Sequence, residues 1–471
     1  MPTLHETLLH LPANVRHALI DELNGLNGHQ SNGQPPLSDD ALLAALKSAI
    51  NGVTERKRRR VVITGIGAVT PVGNTATATW SALVAGQSGI GPVTQFDATL
   101  YDSRVAGEVK DFNPELRIPR KEVRRMARCS QISVVAAHEA VEDSGLDLSG
   151  EDPTRMGVVL GTGVGGQDMF VDMIRTGVTA NRMRSRPVDV INGLPNMPAF
   201  HISNAFGCRG PLNTVVTACA AGTQAIGVGA EEIRRGAADV MIVGGTEGMI
   251  SEVFFATFEA MRAVTTQNDD PPRASRPFDA TRDGFVIGEG AAIFVMEALE
   301  HALARGARIY AEVLGWGESA DAYHIAAPDP EAKGAALCMT NALADAGISP
   351  DEIDYINAHA AGTPLGDAHE TKGIKDIFGP RAYEIPISST KSMVGHLFGG
   401  AGAIEALACV YAVHTDTIHP TINYHNPDPE CDLDYVPNVA RQVPVNIALS
   451  NSFGLGGQNA CLIVGKYRPS A

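Results

Sequence analysis

Short runs rich in valine and isoleucine recur along this chain, and longer segments of helical spacing separate them. VVITGIGAV (61–69), MGVVLGTG (156–163), TVVTAC (214–219), DVMIVGG (239–245), AAIFVME (291–297), IYAEVLGWG (309–317) and ALSNSFG (448–454) lack the polar alternation of a strand with one wet face. A strand apolar on both sides must be covered on both, so the pattern predicts an α/β fold around a buried, largely parallel sheet. With 471 residues and 44% hydrophobic side chains, the chain can build one large core or two ordinary ones.

Charge and cysteine usage exclude several classes. The 37 basic and 53 acidic side chains leave a net charge of −16, which argues against nucleic acid or an anionic membrane as the main partner. No window approaches the roughly 18 uninterrupted apolar residues of a membrane-crossing helix. The first forty residues carry Glu6, Asp21, Glu22, Asp39 and Asp40, unlike a secretory signal or an acid-poor transit peptide. Seven cysteines form no CxxC pair, which fits a reducing compartment. The expectation is a soluble, cytoplasmic protein.

Three regions are expected. Residues 1–58 form a helical extension and linker: GHQSNGQPP (28–36) reads as a hinge, and Ser38 is placed to cap a helix carrying Leu42, Leu43, Leu46 and Ile50 on one side. Residues 59–310 and 311–471 form two halves of similar layout. LNTVVTACAAGTQAIGVGAEEIRRG (212–236) and IPISSTKSMVGHLFGGAGAIEALACVYAV (385–413) both read as strand, reactive-type side chain, small-residue turn and helix.

The candidate chemistry lies at these turns. Cys219 ends an apolar run and precedes AAGTQAIG, so its thiol is expected at a helix N-terminus, where the dipole and free N–H groups lower its pKa. A cysteine after a strand is more often a buried small hydrophobe. Two histidines shift that balance: His359 in YINAHAAGTPLGD and His396 in STKSMVGHLFGGAG each follow a strand and lead into a small-residue turn. Open α/β sheets build their sites at such carboxyl ends of strands. TGVGG (162–166) and FGLGGQNA (453–460) lack the phosphate-loop lysine and the GxGxxG-to-acid arrangement, so they suit close backbone approach to a thioester instead. The N–H groups of Cys219 and Phe453 are the candidate oxyanion donors. HxxxH, HExxH and CxxC spacings are missing around the histidines, so no metal is expected.

Five motifs in order, TACAAG (217–222), RPFDATRDGFVIGEGA (276–291), NAHAAGTPLGDAHETK (357–372), STKSMVGHLFGGAGAIEA (389–406) and NSFGLGGQNA (451–460), resemble the elongating β-ketoacyl-[acyl carrier protein] synthases of dissociated fatty-acid and polyketide systems. The likeness covers about residues 59 to 467. It implies a thiolase-like fold, two similar α/β halves with central mixed sheets in five layers, and a homodimer. It further implies Cys219 as the acyl-accepting nucleophile, His359 and His396 as the pair promoting malonyl decarboxylation, Lys391 and Glu405 as supporting groups, and Phe453 as an aromatic gate. No cofactor is implied, since substrates arrive on the phosphopantetheine of an acidic carrier protein.

The same likeness places carrier contacts at Lys121, Arg124, Arg125 and Arg262, the first three in RIPRKEVRRMARCS (117–130), which reads as one basic helix extending to Arg128. Val164, Phe258 and Asp189 are assigned to the acyl pocket. Two departures stand out: HAAGT puts Ala361 where a threonine hydroxyl commonly meets pantetheine, leaving Thr363, and RPVDVINGLP (186–195) brings Asp189 into a segment that is mostly apolar in the fatty-acid enzymes. These favour a specialised polyketide or polyene pathway somewhat over housekeeping fatty-acid synthesis. The alternatives are a structural or chain-length-determining partner in a heterodimeric synthase, and a coenzyme A-dependent thiolase-like enzyme, which would be expected to offer a second cysteine rather than a second histidine.

Overall fold

The computed structural model describes residues 58–182 and 187–469. The extension expected before residue 58 lies outside the described residues. The first half runs β1 (Val61–Val69), α1 (Arg128–Ser144), β2 (Met156–Gly161), α2 (Met197–Phe206), β3 (Leu212–Val215), α3 (Ala221–Arg234), β4 (Val240–Glu247) and β5 (Gly290–Ala298). The second repeats that order as β6 (Ala311–Ala320), α4 (Lys333–Ala346), β7 (Tyr355–Asn357), α5 (Pro364–Phe378), β8 (Ile387–Ser388), α6 (Ala401–Thr415), β9 (Ile447–Gly454) and β10 (Gln458–Gly465).

Among the described residues these ten strands form one sheet in the order β8-β7-β9-β10-β6-β1-β5-β4-β2-β3. Each half has the same internal order, third-second-fourth-fifth-first. Within the sheet the halves meet where Val61–Ile63 of β1 pair with Ala311–Val313 of β6. The expectation of a largely parallel sheet is corrected: β2 is parallel to β3 and β4, and β7 to β8 and β9, but β1, β5, β6 and β10 run antiparallel to their neighbours. Antiparallel strands in the middle of a covered sheet are buried on both faces, so they read in sequence like parallel ones.

Helices α3 and α6 pack on each other and touch strands of both halves, while α1 and α2 cover one outer face and α4 and α5 the other. The result is five layers. α6 explains its place by composition: AGAIEALACVYAV is buried on every side from Ala401 to Val413, as a central helix must be. Its one charged member in that stretch, Glu405, is 1% exposed, so it requires a partner. Among the described residues no helix is long and apolar enough to cross a membrane.

Candidate active site

The repeated layout brings two loops together. Cys219 follows β3 in a single turn, Ala218–Ala220, that runs into α3, and the segment carrying Lys391 and His396 follows β8 and leads into α6. Close approach depends on missing side chains: a methyl group on Gly399 would stand 2.2 Å from the Gly163 nitrogen, and one on Gly454 would stand 2.7 Å from the Thr217 carbonyl oxygen. Ala218 and Phe398 hold φ of 50° and 45°, a left-handed conformation that non-glycine residues adopt at a cost of about 1 kcal/mol or more. Both flank reactive groups.

Cys219 Sγ lies 3.0 Å from His396 Nε2. The amide of Phe398 donates to His396 Nδ1 at 3.2 Å, so the ring's proton sits on Nε2 and points at the sulfur. The His396 backbone is held on both sides, its N–H donating to Val286 O at 2.7 Å and its carbonyl accepting from Gly288 at 2.9 Å. His359 faces His396 edge-on with ring centroids 5.4 Å apart. Lys391 Nζ donates to the His359 carbonyl at 2.6 Å and reaches its Nδ1 at 3.4 Å, which leaves the proton on Nε2 here too. Lys391 also pairs with Glu405, and Glu405 accepts from Ser452 Oγ at 3.3 Å.

Two neutral imidazoles therefore present N–H donors beside one thiol. Burial first and then the nearby Lys391 charge hold both rings well below the usual histidine range, with His396 adding to the effect on His359. The thiol departs from expectation. Burial pushes Cys219 up to about 11, outweighing the Leu455 N–H and the charge on Lys391. A side chain 4% exposed loses more by desolvation than the turn returns. Since the histidines are held neutral, a reaction that draws on their Nε2–H donors should keep its rate from pH 8 to pH 6; a fall centred near 6.5 in a pH–rate profile would contradict this.

Cys219, His359, His396, Phe453, Ala361 and Thr363 line a cavity of about 490 Å³, together with the exposed side chains of Arg262 and Leu365. Thr363 Oγ1 accepts from the Gly366 amide at 3.2 Å and so caps α5. Phe453 stands 5.8 Å from the His359 ring. On the other side, Phe398 stacks on His396 at 4.5 Å and Phe258 stacks on Phe398 at 5.0 Å. Val164 packs against this aromatic cluster without lining the cavity. Asp189 does not line the cavity either: it is 9% exposed, in a short helix, Asp189–Asn192, and it does not face solvent.

The basic segment also differs from expectation. A short helix, Arg120–Val123, ends before a turn, and α1 begins afresh at Arg128. At the break Ala127 is extended, with φ −61° and ψ 156°, and the Arg128 amide donates to Asp168 Oδ2 at 3.0 Å; the Arg128 guanidinium turns inward to Glu289 at 2.8 Å, a carboxylate 161 residues away and fully buried. Lys121, Arg124 and Arg125 remain exposed. Glu370 was missed: it accepts the amides of His359 at 2.9 Å and Ala360 at 2.7 Å and so fixes the histidine loop. Its available signal was an acid near the start of the helix that follows the HAAGTP turn. Among the described residues no cluster of three or more His, Cys, Asp or Glu is arranged to hold a metal.

Residues 58–302 match the family model described as Beta-ketoacyl synthase, N-terminal domain, and residues 310–425 match Beta-ketoacyl synthase, C-terminal domain. The chain is 47% identical over 412 residues, 88% of its length and 99% of the relative's, to 3-oxoacyl-[acyl-carrier-protein] synthase 2 of Synechocystis sp.. Among solved structures it is similar to the ishigamide ketosynthase/chain length factor, with a TM-score of 0.81 and 38% identity over 87% of this chain and 100% of that one. It is also similar to a ketosynthase bound to the hexaketide in complex with a type II PKS acyl-carrier protein, with a TM-score of 0.80 and 33% identity over 88% of this chain and 100% of that one.

Proposed function

Because the chain belongs to the β-ketoacyl synthases, as an elongating condensing enzyme of the acyltransferase class with a thiolase-like fold, we propose that it joins a Cys219-bound acyl group to malonyl-[acyl carrier protein], within a specialised polyketide or polyene pathway. The observation that carries the reaction is the cavity that exposes one thiol and two imidazole N–H donors to a common space. No resident cofactor is needed, since both substrates travel on phosphopantetheine.

In the first step Cys219 sulfur bonds to the acyl carbonyl, the pantetheine sulfur departs and takes the thiol's proton, and the N–H groups of Cys219 and Phe453 hold the oxyanion. In the second, the bond to the malonyl carboxylate breaks and CO2 leaves. Its electron pair becomes an enolate whose oxygen accepts from Nε2–H of His359 and His396. The enolate carbon then attacks the acyl-cysteine, a carbon–carbon bond forms, and the Cys219 sulfur is released as a thiolate that takes a proton from water to restore the thiol. Lys391 supports the site by keeping His359 in the tautomer that donates.

For the pathway, support comes from Ala361, which removes a hydroxyl from the cavity wall, and from the likeness to the ketosynthase in complex with a type II PKS acyl-carrier protein. Supplying malonyl-carrier with saturated, unsaturated and polyenoyl acyl-carriers should yield 3-oxoacyl products two carbons longer, fastest from the unsaturated donors. Equal or faster turnover of saturated donors would return the enzyme to ordinary fatty-acid elongation.

A carrier protein is acidic, and Lys121, Arg124, Arg125 and Arg262 are exposed, Arg262 in the cavity wall itself. Reversing Arg124 and Arg125 to Glu should weaken carrier binding about tenfold at low salt and less at high salt. Titration at two ionic strengths checks this, and unchanged low-salt affinity would remove both residues from the contact. A second copy of the chain is the expected dimer partner. Among the described residues β3 ends the sheet with one edge unpaired, and Leu212 and Val216 are about half exposed, 50% and 49%.

A further inference from the structure

His419 lies beneath the site, fully buried and touching none of the groups that line the cavity as nucleophile or enolate donor. Its Nδ1 donates to the Pro420 carbonyl at 2.9 Å, which leaves Nε2 as an acceptor. Nε2 takes the hydroxyl proton of Thr390 at 2.9 Å, and Asn357 Nδ2 lies 3.2 Å from it. Asn357 Nδ2 donates to Thr390 Oγ1 at 2.9 Å and to Tyr355 Oη at 3.0 Å, so His419, Thr390 and Asn357 form a closed group with Tyr355 beside it. Burial keeps the ring neutral, with its pKa down to about 4.

The group's position in the chain gives it meaning. Thr390 immediately precedes Lys391, and Asn357 ends β7 two residues before His359. His419 thus clamps the two segments whose ends must meet for Lys391 to reach the His359 carbonyl and Nδ1. Neither Cys219 nor His396 has a hydrogen bond to the clamp.

We propose that His419 is a positioning residue for decarboxylation, holding the Thr390–Lys391 and Asn357–His359 segments in register while leaving acyl transfer to Cys219 untouched. The proposal rests on the condensing reading above, and two half-reactions separate them. CO2 release from malonyl-carrier reads the His359 side, and acyl mass gain on the full chain reads the Cys219 side. His419→Leu should slow CO2 release about tenfold to a hundredfold, as small misplacements at a reacting centre do, with the loading rate within about twofold of the parent. His419→Gln, which keeps an acceptor and a donor, should recover most of the loss. Thr390→Val removes the hydroxyl donor while keeping the shape, and should show the same selective slowing; its result decides the matter if His419→Leu does not fold. Equal loss in both half-reactions, or no rescue by glutamine, would reduce His419 to a general packing role. A parent enzyme that loads acyl groups but releases no CO2 would overturn the condensing reading and this proposal with it.

Discussion

Cys219→Ala is expected to lower condensation by about 10^4-fold or more, because the variant retains no nucleophile that can reach the acyl thioester. The other six cysteines, Cys129, Cys208, Cys338, Cys409, Cys431 and Cys461, are buried and none lines the cavity. Alanine fits where a small side chain already sits 4% exposed, so the fold should survive. His359 and His396 remain, together with the Phe398 amide and Lys391 that set their tautomers. CO2 release from malonyl-carrier should therefore continue in a variant that makes no product. Intact-protein mass, trapped CO2 and product analysis on one preparation would read all three. An acyl mass gain that persists in Cys219→Ala would move the nucleophile elsewhere.

The next largest effect should come from Lys391→Ala, this time on stability as well as rate. Lys391 and Glu405 are each 1% exposed and pair with one another, so removing the cation strands a carboxylate between the two half-sheets. Breaking a buried pair from one side costs about 3–5 kcal/mol. The pH dependence has a definite sign. Burial already raises the Glu405 pKa, and Lys391 is the influence that opposes it most. In the variant the folded state should bind a proton that the unfolded chain releases above its ordinary carboxylate range. A carboxyl with a raised folded pKa contributes stability below its unfolded value and loses it as pH rises through the folded one. The deficit against the parent should be larger at pH 8 than at pH 5.5 in denaturant midpoints. Replacing both partners by Lys391→Met and Glu405→Leu should restore most stability while activity stays low, since His359 then lacks its donor. A deficit independent of pH would mean that Glu405 is not the group left uncompensated.

Much of the site was legible because reactive residues here sit at junctions with a local signature. TACAAG and STKSMVGH each show a side chain of nucleophile or base type between a strand run and a run of small residues, and the structure sets both at the same step of two matching halves. The His419 group escaped notice because nothing local marks it, and Glu370 because its local sign, an acid on the helix after the HAAGTP turn, does not show what it holds. Their partners are backbone amides or neutral side chains brought near only by folding.

Three corrections have the same origin. The Cys219 thiol was expected low from its turn, but its environment is the aromatic cluster of Phe258, Phe285 and Phe398, drawn from distant segments, and desolvation prevails. The basic run looked like one helix, but Ala127 is extended and a new helix starts at Arg128, whose amide and guanidinium are held by Asp168 and Glu289 from distant segments. The antiparallel strands read as parallel because burial on both faces looks the same in either direction. From the sequence alone came the strands, the α/β class and the types of the reacting groups, since hydrophobic period and side-chain chemistry are properties of neighbouring residues. Strand direction, the protonation of Cys219 and the clamp under His359 were decided only in the folded chain, because desolvation and hydrogen bonding depend on which distant segments closure brings together.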